Sequence, residues 1–123
     1  MSQPEPRTEV FDYAEELIAT PRAHLRLTLR QLEEGLELSH QGRPLVRCPL
    51  TREGMMAAGF MSAALGSRIP PLGQSWDVRV STGVLNRAVW IASLDFTAPE
   101  SLTLVERWLE EAEAQRGGSS DAT

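Results

Sequence analysis

One cysteine and two histidines, Cys48, His24 and His40, are the residues that could supply a nucleophile and a base. A Cys–His pair needs hydrogen-bond reach between sulfur and imidazole. In the strand register that the leucine alternation gives, Cys48 lies opposite Leu36. His40 is four residues further along that strand, about 13 Å away at roughly 3.3 Å per residue. Cys48 therefore reads as a small buried hydrophobe, and the two histidines as edge or surface residues. Two histidines without neighbouring carboxylates make a poor metal site. Glu33-Glu34 has the composition of a general acid–base pair, but adjacent acids in a hairpin turn stay solvated. Arg22, Arg26, Arg30, Arg43, Arg47 and Arg52 could gather a phosphate. Glu37 and Glu53 interleave with them, which makes a mixed, solvated face. No P-loop, Gly-x-Gly-x-x-Gly or His-Glu-x-x-His motif is present. The sequence thus offers no catalytic residue, cofactor or metal ligand, and the chain reads as a binding protein rather than an enzyme.

The bulk properties narrow the class further. A length of 123 residues with 41% hydrophobic content suits one globular domain. A domain of this size buries about two-thirds of its unfolded surface without needing disulfides. The net charge of -5 argues against a nucleic-acid footprint. The start, Met-Ser-Gln-Pro-Glu-Pro-Arg, lacks the apolar core of a signal peptide, and no run approaches the 20 or so apolar residues of a membrane span. A cytoplasmic protein with no membrane or nucleic-acid partner is expected.

The elements come from periodicity. Residues 1–8 are polar, with Pro4 and Pro6, and are expected to be disordered. Val10, Phe11, Ala14, Leu17 and Ile18 have the spacing of an amphipathic helix that ends before Pro21. Leu25, Leu27 and Leu29 then alternate with Arg26, Thr28 and Arg30 as in a strand. Leu25, Leu29 and Leu32 would also fit a helix closed by Gly35. The strand is preferred because the next two segments pair with it. A Glu33-Glu34 hairpin sets Arg30 opposite Glu37 and Leu29 opposite Leu38. A Gln41-Gly42-Arg43 turn then sets Val46 beside Leu38 and Arg47 beside Glu37. One register therefore gives an apolar face (Leu25, Leu27, Leu29, Leu36, Leu38, Val46, Cys48) and a polar one (Arg26, Thr28, Arg30, Glu37, Ser39, Arg47). A one-residue slip would destroy both.

Met55–Leu65 comes next as a helix, with Thr51 as N-cap and Gly66 just past its end. It is apolar nearly all round, so it is buried on more than one face. Self-association is preferred over a path through the middle of its own fold. Met55, Ala58, Met61, Ser62 and Leu65 are expected at a two-fold axis, with Met56 and Phe60 turned toward the sheet. Ser67–Ser75 is a loop. Trp76, Val78 and Val80 mark a fourth strand, and Ser81–Arg87 a long hairpin loop. Ala88–Phe96 reads as a fifth, central strand. Thr97-Ala98-Pro99-Glu100 reads as a capping box opening an acidic helix that Gly117-Gly118 ends. Residues 117–123 are expected to be a disordered tail. The predicted order, α-β-β-β-α-β-β-α over residues 9–116, is a single two-layer α+β domain whose helices pack on an antiparallel sheet.

That order, the acidity and the apolar middle helix resemble the class I type III secretion chaperones of Gram-negative bacteria. The likeness lies in Ala88–Glu113 (Ala-Val-Trp-Ile-Ala-Ser-Leu-Asp-Phe, then Thr-Ala-Pro-Glu-Ser-Leu and an acidic helix) and in the opening Val-Phe-Asp-Tyr-Ala-Glu-Glu-Leu-Ile. The resemblance implies a homodimer that holds one effector in a partly extended form, without ATP or cofactor. It also implies a client patch drawn from Val10, Phe11, Ala14, Leu17, Ile18, Leu25, Leu27 and Leu29. The other reading is a bacterial adaptor, regulatory or immunity-type domain with no extended client.

Overall fold

The computed structural model describes residues 7–121, with side chains over 7–111. The chain runs β1 (Glu9–Val10), α1 (Asp12–Ile18), β2 (His24–Leu32), β3 (Gly35–His40), β4 (Arg43–Pro49), α2 (Arg52–Ala64), β5 (Ser75–Ser81), α3 (Thr82–Ala92) and α4 (Pro99–Asp121). The five strands form one antiparallel sheet in the order β1-β4-β3-β2-β5. Helices pack on its apolar face. This is the α+β architecture expected, with one predicted strand replaced by a helix and one short strand added at the start.

The β2–β3–β4 meander has the anticipated register: Leu29 faces Leu38, Arg30 faces Glu37, Val46 faces Leu38 and Cys48 faces Leu36. The second turn reaches that register by another route. It closes with two residues, Gln41 (φ 52) and Gly42 (φ 79), both left-handed, as a twist-matched hairpin requires. A bulge where the register shifts at Leu38/Ser39 restores the count. Leu45 and Val46, consecutive residues, are consequently both fully buried. The polar face carries the ladder Glu9–Arg47–Glu37–Arg30 across four strands. Within it Arg47 Nε donates to Glu37 at 2.9 Å.

Ala88–Phe96 is not a strand. Ser81 caps a helix through Thr82–Ala92, its hydroxyl accepting from the Val84 amide at 3.2 Å. Leu85, Ala88, Val89 and Ala92, spaced i, i+3, i+4, i+7, are buried with Ile91. A short apolar run buried on several sides looks the same to the eye as strand or helix. Here Ser81 and the period from Leu85 carry the helical signal. The stretch that resembled a chaperone strand is therefore the second half of α3 and the connection after it, and among the described residues β5 has no hairpin partner after it.

Smaller differences come from specific bonds. Val10 belongs to β1 rather than to the first helix. Phe11 N still donates to Leu45 O at 2.9 Å, so the chain leaves the sheet edge only at Asp12. Thr97 does not cap α4, because its hydroxyl and amide both donate to the Asp95 carboxylate, and Pro99 is the first helical residue. The helix continues through Gly117-Gly118 to Asp121. A glycine costs a helix about 1 kcal/mol but ends it only where the backbone turns left-handed. Of the segments expected to be disordered, residues 1–6 and 122–123 lie outside those described, and Arg7 and Thr8 carry no regular structure.

The caps of α2 are as read. Thr51 accepts from the Gly54 amide at 3.0 Å. Gly66 (φ 76) ends the helix with Gly66 N donating to Ala63 O and Ser67 N to Ser62 O, a Schellman closure. Phe60 of α2 stacks on Phe96, ring centres 5.6 Å apart. Val105 of α4 is fully buried, which ties the last helix to the same core.

Candidate functional site

The residues with possible chemistry are placed apart from one another. His40 ends β3, and its Nδ1 lies 2.7 Å from the Tyr13 hydroxyl of α1. Arg43 sits over the same tyrosine ring at 3.8 Å. This cluster fastens α1 to the β3–β4 turn, so the partner of His40 is Tyr13 and not Cys48. His24, at the start of β2, is exposed. Glu33 and Glu34 are exposed in the first turn, as expected of a solvated pair. Among the described residues no group of three His, Cys, Asp or Glu is placed to hold a metal ion.

Cys48 is 1% exposed among the leucines of the meander. Burial pushes its thiol up from about 9.0 to about 12, against the opposing pull of a hydrogen bond from the Thr8 side chain. A small cavity of about 190 Å3 is lined by Arg7, Glu9, Arg47, Cys48 and Pro49 among others. Two results are expected. Thiol-reagent labelling at pH 8 proceeds only through opening of the fold, at least about 100-fold slower than in urea. Stability also falls with alkalinity. Above pH 9 the unfolded thiol ionises while the folded one stays protonated, so the folded state binds more protons. Unfolding free energy then drops by about 1.4 kcal/mol per pH unit until pH approaches 12. Urea titrations at pH 8 to 11 on the protein and on Cys48→Ala check the slope. An equal slope in Cys48→Ala would assign it to another group.

A larger cleft, about 630 Å3, opens between residues 7–8, the N-terminus of α2 and the α3–α4 connection. Ala92, Leu94 and Phe96 are its apolar lining, and Arg7, Glu53 and Asp95 bring charge to it. Its hydroxyls already have structural work. Thr51 caps α2, Ser93 donates to Trp90 O at 2.8 Å, and Thr97 donates to Asp95. The Thr97 hydroxyl and amide, helped by Arg7, hold the Asp95 carboxyl below the usual carboxylate range. Asp95 thus carries its negative charge at neutral pH. The cleft combines apolar area with charges of both signs, of which Asp95 is held by hydrogen bonds, a surface suited to recognition.

The expected client patch divides in two. Ala14, Leu25, Leu27 and Leu29 are buried in the chain's own core, because α2 and α3 cover the inner face of the sheet. They are not available at the surface. Val10, Phe11, Leu17 and Ile18 are half-buried and remain accessible around α1.

The expected dimer patch is corrected. Ala58, Met61, Ser62 and Leu65 are buried inside this chain, and of that set only Met55 is partly exposed. Met56 and Phe60, expected to face the sheet, are half-buried instead. The apolar perimeter of α2 is taken up by β3, β4, α3 and α4 together, so the helix does run through the middle of its own fold. Periodicity gives no orientation to a helix that is apolar all round. No family model, curated protein or solved structure matches this chain.

Proposed function

We propose that the chain is a small protein-binding module that acts as a homodimer and holds a segment of a client protein, in the manner of the class I type III secretion chaperones. The observation that carries this reading is the cleft beside α2. It joins apolar area, the half-buried Leu94 with the buried Ala92 and Phe96, to the charged Arg7, Glu53 and Asp95, and its hydroxyls serve as caps and turn bonds. The accessible residues of α1 extend the surface. Val10 and Phe11 come just after Thr8 of the cleft wall in the chain, with Leu17 and Ile18 further along the helix. A client segment would place an apolar side chain on Leu94 and meet Arg7, Glu53 and Asp95 with charges of its own.

Phe11→Glu, Leu17→Glu and Leu94→Arg are expected to abolish co-purification of the client from the native host, with helical dichroism unchanged and melting lowered by only a few degrees. Mass spectrometry identifies the protein retained by the parent chain and lost from the variants. A client retained by all three variants, or no stoichiometric client at all, would overturn the reading.

A further inference from the structure

We propose that the free edge of β5 pairs antiparallel with β5 of a second copy, in the register centred on Val78. The strand is outermost in the sheet, and beyond it no strand is paired among the described residues. Its backbone phase is fixed by its neighbours: Gln31 N donates to Gln74 O, and Thr82 N donates to Ala23 O. Even-numbered residues therefore bond inward to β2. Ser75, Asp77 and Arg79 turn their N–H and C=O groups outward, since these groups alternate sides along a strand, and Ser81 offers its N–H, its C=O being taken by the first turn of α3. A second strand can bond only to those four residues.

Three two-fold registers of this edge centre within its middle. Centred on Asp77, the pairing sets Asp77 against its own copy, and centred on Arg79 it sets Arg79 against its own. Centred on Val78, each Asp77 faces an Arg79 of the partner, Ser75 faces Ser81, and Trp76 faces Val80 on the helix side. Like charges directly opposite one another destabilise a sheet and unlike charges stabilise it. The self-complementary register is thus selected by charge as well as by hydrogen bonding.

The strand's own sheet supplies the second argument. Within one chain Arg79 lies directly opposite Arg26 of β2, a like-charge cross-strand pair. No ion pair offsets it among the described residues, where the ion pair formed is Arg47–Glu37. A partner's Asp77 on the outer side of Arg79 would neutralise that row. On the helix side, Trp76 and Val78 are only half-buried, while the residues they face on β2, Leu29 and Leu27, are fully buried. The helix layer covers Val80 but leaves Trp76 and Val78 partly open, and a second copy would cover what it leaves. The pairing joins two five-stranded sheets into one and removes two exposed edges, each a liability for unspecific strand addition.

The inference rests on the dimeric half of the proposed function, and charge exchange tests it. The parent chain is expected to show a dimer mass by sedimentation at about 50 μM. Arg79→Asp and Asp77→Arg should each raise the dimer dissociation constant about tenfold or more, because both unlike pairs become like pairs. Arg79→Asp should stay folded, since it then faces Arg26 favourably. Mixing the two variants restores complementarity and should recover a heterodimer, as should the double exchange Asp77→Arg/Arg79→Asp a homodimer. A monomeric parent chain would overturn both the surface and the dimeric reading. Dimeric single variants, or a mixture that stays monomeric, would overturn the β5 surface alone.

Discussion

Met61→Glu is expected to unfold the domain. The side chain is fully buried in the C-terminal half of α2 and belongs to the same core cluster as Ala57, Ala58, Leu65 and the leucines of the sheet. A carboxylate there has no partner. Either it is buried charged at a cost of several kcal/mol, or it takes up a proton and loses much of that energy in the shift. Added to the loss of the methionine's packing, the penalty exceeds about 4 kcal/mol, against a total stability of about 5–15 kcal/mol for a domain. Loss of the cooperative thermal transition is the readout. Met61→Leu, which keeps the volume, should cost less than about 1.5 kcal/mol. Phe60→Glu should keep the fold with a lowered midpoint, because Phe60 is half-buried and loses chiefly its stacking on Phe96. A folded Met61→Glu beside an unfolded Phe60→Glu would mean that the two faces of α2 are exchanged.

Gly35→Ala should be nearly as damaging, although it adds a single methyl group. Gly35 opens β3 at φ +141, a backbone region that side-chain-bearing residues rarely enter. A Cβ at this position would be driven into the Cys48 carbonyl on the neighbouring strand, with the Pro49 backbone close behind it. Neither obstacle is a flexible side chain, so relief requires β3 and β4 to part or the Glu33-Glu34 turn to be rebuilt. Strain in the backbone and loss of the adjacent pairing together put the cost at about 3 kcal/mol or more. A urea midpoint lowered at unchanged slope would report it. Gly59, which has open space around its absent Cβ, is the control: Gly59→Ala should be neutral or stabilising by up to about 1 kcal/mol.

These sites differ in how far the sequence could reveal them. The meander was legible because three independent signals coincide in one register: leucines alternating with charges, turn residues between the runs, and Arg–Glu pairs falling opposite each other. The bulge beside Leu45 was not, because a three-residue turn and a two-residue turn with a bulge bring Val46 to the same partner. The caps of α2 were legible from Thr51 and Gly66, yet its orientation was not, since every direction around it is apolar. For α3 the apolar middle outweighed the cap at Ser81 and the period from Leu85. The cleft draws its walls from residues 7–8, 51–54 and 92–97, which no local pattern joins, so it was invisible before the chain was folded. The charge symmetry of β5 lies in the plain run Ser-Trp-Asp-Val-Arg-Val-Ser. It acquires meaning only once the far side of that strand is free.

The order of the strands also sets a timetable. The three central strands pair with their immediate neighbours in sequence and are complete by residue 49. Such local pairing forms early. Their apolar face is not covered until α2 and α3 have emerged through residue 92, and the open side of β2 waits for β5 at residues 75–81. At a synthesis rate of about 5–20 residues per second, a growing chain displays a bare leucine surface and an unpaired edge for several seconds. The first half of this small protein thus passes through a sticky adolescence on the ribosome, one that the finished fold conceals.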